Sequence, residues 1–143
     1  MIALALLLFT LVAHGAEPAV HAENGWLRLL PGSLPAGGYL TLINATPKEV
    51  SITGVRSPDY KEAMLHRSSE NNGMAHMAMV DSVPVPARGS VVFSPGGYHV
   101  MLSKPTRSLK VADTVVLELM LSDGASLRVP LRVVPANASG PNG

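Results

Sequence analysis

Apolar and polar positions along the chain fall into short alternating runs separated by turn-forming residues. Leu127, Val129, Leu131 and Val133 take every second position with Arg128 and Arg132 on the other parity, and Val50, Ile52 and the nearby Val55 roughly pick out one face of another run. A period of two marks a strand with one face buried and the other wet. Such runs predict strands at Trp26–Leu30, Tyr39–Asn44, Val50–Arg56, Glu62–His66, Met74–Asp81, Ser90–Phe93, Tyr98–Leu102, Val115–Leu121 and Ser126–Val134. The separators are Pro-, Gly- and Asn-rich, among them Asn71-Asn72-Gly73, Val83-Pro84-Val85-Pro86 and Ser94-Pro95-Gly96-Gly97. Strands at this spacing, with no long helical pattern after residue 20, predict an all-β single domain built as a two-sheet sandwich or barrel.

One segment breaks the alternation. Ile2 to Ala13 is apolar except for Thr10 and ends in small residues. It is too short to span a bilayer but has the length of the apolar region of an export signal. Residues 1–22 are therefore expected to be a signal peptide, cleaved within 15–22, although no Lys or Arg precedes Arg28. The domain is then expected over 23–135, with no stable membrane insertion, and 136–143 as a disordered polar tail.

Composition removes several classes of function. Eleven Lys and Arg against ten Asp and Glu give a formal charge of +1 with no basic run, so a nucleic-acid surface is unsupported. The chain has no Cys, which excludes disulfides, thiolate nucleophiles, iron–sulfur clusters, Cys-ligated zinc and the Cys-ligated blue-copper centre. A metal site would have to draw on His, Met, Asp or Glu.

His and Met are unevenly placed. Met64, Met74, Met77, Met79 and Met101, with His66, His76 and His99, all lie between residues 64 and 101. A single Met in a sandwich is ordinarily a core gap-filler, and a single His is ordinarily structural. Spacing shifts the balance, because His99 and Met101 are two residues apart and share one face of a strand, with Val100 on the other. Met64 and His66 share a face by the same rule, as do Met77 and Met79, whereas Met74 and His76 take the opposite one. Imidazole and thioether without thiolate or carboxylate form a soft-to-borderline donor set that suits Cu(I).

The spacing resembles that of the PCuAC-type periplasmic copper chaperones: His66, ten residues, Met77, twenty-one residues, then His99-Val100-Met101. A shuffled chain of this composition would match about 3 times in 10,000, so the motif is specific. Trp26-Leu27-Arg28, Gly38-Tyr39-Leu40-Thr41-Leu42-Ile43-Asn44 and Ser94-Pro95-Gly96-Gly97-Tyr98 also look like that family. The resemblance implies a cupredoxin-like Greek-key β-sandwich, a periplasmic location, and His66, Met77, His99 and Met101 as ligands to Cu(I). It further implies delivery of copper towards the copper-site subunit of cytochrome c oxidase, with a Sco-type chaperone as second partner, or a role in general copper homeostasis. The tail lacks the Met- and His-rich extension of some members. Met64, Met74, His76 and Met79 read as packing or surface, with Met79 the most plausible additional donor.

An alternative from a different class is a metal-independent binding or adhesion module, since sandwiches host many functions. An enzyme is not expected, because the chain has no HExxH and no Gly-x-Ser-x-Gly.

Overall fold

The computed structural model describes residues 18–143. Residues 1–17, most of the expected signal segment, lie outside the described residues. Ten strands follow in order: β1 Val20–Arg28, β2 Ala36–Asn44, β3 Val50–Arg56, β4 Tyr60–Asn71, β5 Met74–Met79, β6 Val83–Val85, β7 Gly89–Val92, β8 Tyr98–Pro105, β9 Thr114–Leu121 and β10 Ser126–Val134. They form one hydrogen-bonded path, β5-β4-β8-β2-β1-β10-β9-β3-β6, with β7 also on β2. Neighbours are antiparallel except β1 and β10, which run parallel. The domain is all-β, as the alternation predicts.

The path curls until β3 comes beside β4, and the turn that joins these two strands is tied to β9 by its side chains. Ser57 and Tyr60 make an isolated bridge. The Ser57 hydroxyl donates to the Val116 carbonyl at 2.6 Å, while Asp59 accepts the Val116 N–H and the Arg107 Nε–H, each at 2.8 Å. Burial pushes the Asp59 carboxyl up, but these two donors outweigh it and hold the group below its ordinary value.

One apolar core fills the interior. Leu40 and Leu42 of β2, Val100 and Leu102 of β8, Leu117 and Leu119 of β9 and Leu131 and Val133 of β10 are all fully buried, each pair two residues apart. The intervening positions therefore point to the outside of the curled sheet. The buried Asn44 ties the β2 end to the loops around it. Its amide donates to the carbonyls of Lys48 (2.8 Å), Pro86 (3.1 Å) and Val85 (3.3 Å), and its oxygen accepts from the Thr46 N–H and hydroxyl.

Three features depart from the sequence pattern. The stretch Val83-Pro84-Val85, expected to be a separator, is the short strand β6 on β3. Val83 and Val85 are fully buried while Pro84 is exposed, which an edge strand tolerates because one side of it needs no donor. Strand β1 begins at Val20 rather than Trp26, so Val20, His21 and Ala22, inside the expected signal segment, pair with Asn44, Ile43 and Leu42. In the expected tail, Ala138 is only 5% exposed and packs with Trp26, Tyr39 and Val134, because the outer face there carries an apolar patch of its own.

A bulge in β1 creates that patch. Register against β2 slips by one residue between Glu23 and Trp26, where Asn24 has φ 53° and Gly25 sits against the Pro130 carbonyl. One inserted residue reverses the parity of everything after it. Ala22 packs against the core, yet beyond the bulge it is Leu27 that enters the core, and Trp26 and Arg28 turn to the outer face.

Candidate metal site

The four motif residues come from three adjacent strands near the open edge of the sheet. His66 lies on β4, Met77 on β5, and His99 and Met101 on β8. In the β4–β8 ladder His66 stands directly opposite His99, and Met64 opposite Met101. In the β4–β5 ladder His66 stands opposite Met79, and Ser68 opposite Met77. The hairpin that brings β5 back turns on Asn72-Gly73, whose φ values of 52° and 76° fit a tight two-residue reversal. Since Leu65, Val100 and Leu102 belong to the core, the alternate residues His66, His99 and Met101 share the outer face.

His66 and His99 meet edge to face with ring centroids 5.5 Å apart. An ion about 2 Å from one nitrogen of each ring lies about 3 Å from each centroid, so two imidazoles can share it only when the centroids are within about 6 Å. The pair satisfies that limit. His99 is 6% exposed, and its Nδ1–H donates to the Gly97 carbonyl at 3.3 Å. That bond selects the tautomer whose Nε2 lone pair is free. The Nδ1 of His66 is buried without a hydrogen-bond partner. Burial, and then repulsion from His99, lower the His66 pKa and so favour the neutral ring.

Met77, His99 and Met101 line one open pocket together with Arg28, Ala36 and Tyr39. Met77 is 60% exposed at the pocket's outer lip, whereas Met101 is half-buried at its wall. The structure thus brings Met77, His99 and Met101 to one pocket and sets His66 against His99. It does not bring His76 there, since its parity on β5 is opposite to that of Met77. Met64 is half-buried on the same face as His66, and Met79 is exposed rather than packed.

Arg28 and Tyr39 are pocket residues that the strand pattern did not single out. Tyr39 stacks on Trp26 at 4.3 Å between centroids and lies 6.4 Å from the His99 ring. A Cβ on Gly37 would come 2.7 Å from the Tyr39 hydroxyl oxygen, so the glycine keeps room for the ring. The Arg28 guanidinium lies over both Trp26 and Tyr39, at 5.7 and 5.6 Å from the ring centres. Burial raises the Tyr39 pKa and Arg28 opposes the rise, so the phenol remains neutral. Among the described residues no group of three or more His, Cys, Asp or Glu is placed to hold a metal, so a site here has to use the thioethers.

Comparison with known proteins decides the family. The family described as "Putative lipoprotein LpqE-like" matches residues 20–133. The chain belongs to the LpqE-like, PCuAC-type family. Among solved structures, this LpqE-like chain is similar to the Cu(I) form of DR1885 from Deinococcus radiodurans, at 31% identity and TM-score 0.67 over 90% of this chain and 85% of that one. It is similar to apo-DR1885 at 30% identity and TM-score 0.62 over 98% and 95%. The copper-bound PCuAC domain of PmoF2, at 22% identity, shares the fold with TM-score 0.69 over 85% and 97%. No curated protein sequence matches the chain. The fold of this LpqE-like protein is accordingly the cupredoxin-like β-sandwich that the motif implies.

Proposed function

We propose that the protein is an exported copper chaperone that binds one Cu(I) through His66, Met77, His99 and Met101 and passes it on by ligand exchange. The observation that carries this reading is the direct pairing of His66 with His99 beside a pocket lined by Met77 and Met101. Two neutral imidazoles and two thioethers are a donor set for a soft monovalent ion, and the copper-bound states of the DR1885 and PmoF2 structures support copper as that ion. An ion held at the orphaned His66 nitrogen would also remove the cost of leaving that atom unpaired. The Arg28 charge at the pocket repels a divalent ion about twice as strongly as a monovalent one at equal distance.

Exchange follows from exposure. Met77 stands on the edge strand and is the most accessible of the four donors, so an incoming ligand displaces it first while His66 and His99 still hold the ion. Thioethers survive an oxidising compartment without forming disulfides. The proposed destination is the periplasm, with the copper-site subunit of cytochrome c oxidase as acceptor and a Sco-type chaperone as second partner, the roles the motif implies. The family description favours export, although none of the 143 residues is a Cys that could carry an S-linked lipid.

A Cu(I) titration against a chromophoric competitor tests the assignment. The wild-type protein should take the ion, and the Met77→Ala/His99→Ala/Met101→Ala variant should lose it. Met77→Leu alone should weaken binding without changing stability, since its side chain is mostly exposed. Equal affinity in wild type and triple variant sinks the assignment, and no uptake by either would favour a metal-independent binding module.

A further inference from the structure

A second groove holds donors that the four-ligand site leaves unused. It runs along the seam where β3 and β9 meet β4 and β5, and Met64, Met79, Met120 and Asp81 line it against the backbone of Thr53 to Val55. Met120 lies over Gly54, its cross-strand partner on β3. A Cβ on Gly54 would come 2.7 Å from the Met120 methyl carbon, so the missing side chain is what lets the thioether lie there. Met79 is the direct neighbour of His66 on β5, and Met64 the direct neighbour of Met101 on β8, so the groove abuts the four-donor pocket.

Packing does not account for these positions. Met79 is 66% exposed, and Met64 and Met120 are half-buried at the groove surface while the adjacent Leu65, Leu119 and Leu121 fill the core. Three thioethers without imidazole or thiolate favour a soft monovalent cation, and one carboxylate at the rim adds attraction for positive charge. Resting on the reading that the pocket holds Cu(I), we infer that Met64, Met79 and Met120 form a second, weaker site for the same ion. An ion in the groove moves to the pocket across one strand spacing, exchanging thioethers for the imidazoles of His66 and His99. No oxidation or reduction is involved.

Silver(I) titrated into the full chain carrying 13C-methyl methionine reports both sites by NMR. The first equivalent should shift the methyl signals of Met77 and Met101, and the second those of Met79 and Met120. The Met64→Leu/Met79→Leu/Met120→Leu variant should stop at one equivalent. Gly54→Ala, which pushes the flexible end of Met120 aside and leaves the core untouched, should lose the second equivalent and keep the first. Stationary Met79 and Met120 signals in the wild-type protein, or two equivalents retained by the triple Leu variant, would overturn the inference. Shifts of Met79 and Met120 without any shift of Met77 and Met101 would instead leave the groove site standing and overturn the four-donor pocket.

Discussion

Replacing Gly25 by Ala should destabilise the domain by about 2 kcal/mol, and the reason lies in the β1 bulge. The added Cβ would stand 2.4 Å from the Pro130 carbonyl oxygen and 3.0 Å from a Leu131 methyl. A carbon meets an oxygen comfortably at about 3.3 Å, so β1 and β10 have to part by close to 1 Å. Pro130 presents backbone, which cannot swing away as a side-chain end can. Overpacking of this kind costs about 1–3 kcal/mol, and the obstruction by backbone argues for the upper half of that range. Stiffening of the unfolded chain by Ala returns about 0.4–1 kcal/mol. The net loss should lower the melting temperature by about 6–12 °C in a domain of this size. Urea and thermal unfolding measure the loss. Trp26, the only Trp in the chain, follows the bulge by one residue and gives a local fluorescence and near-ultraviolet signal. That signal should change as the stack on Tyr39 loosens, while the proposed Cu(I) uptake should persist because the four motif residues stand on other strands. A stability change below about 0.5 kcal/mol with an unaltered Trp26 signal would refute the argument that this contact fixes the parity of β1.

Two further outcomes are expected. Asn44→Ala removes the amide that joins the Lys48, Val85 and Pro86 carbonyls to the Thr46 turn, all at a fully buried position, and should cost about 3 kcal/mol by chemical denaturation; Asn44→Asp should not rescue it, because a carboxylate cannot donate. For the metal-free protein, His66 has a folded pKa below its ordinary 6.5, so the unfolded chain binds the proton first. Its contribution to stability is therefore complete above about pH 6.5, declines as the pH falls from there through the lowered folded value, and then levels off. Urea unfolding across that range should show a shallower decline in His66→Gln, and identical profiles would contradict the burial argument.

The parts of the fold written in local alternation were readable before the structure. Leu127 to Val133 announces β10, Asn72-Gly73 announces the β4–β5 hairpin, and His99 and Met101 declare their common face by flanking Val100. What escaped depends on contacts distant in sequence or on departures from period two. The two prolines around Val85 disguise β6, whose edge position makes one of them harmless. Asn24-Gly25 gives a turn signal but not the slip of register that turns Trp26 and Arg28 outward. Tyr39 reaches the pocket only because β2 pairs with β8, Gly37 standing opposite Met101, and no local pattern contains that pairing. Ala138 was unreadable because its partners, Trp26 and Tyr39, form an apolar patch on what the pattern treats as the wet face.

The interleaving of buried residues and proposed donors along β8 also bears on how such a site can evolve. Val100 and Leu102 hold the interior while His99 and Met101 serve the outside, so exchanging one donor for another at positions 99 or 101 leaves the interior sequence intact. At the proposed site, metal preference can therefore drift by single substitutions at little cost to folding. Insertion or deletion of one residue in β8 would do the reverse, trading the two sets of side chains and abolishing hydrophobic interior and proposed metal donors in a single event. Along this strand, natural variation should consist of replacements and almost never of length changes.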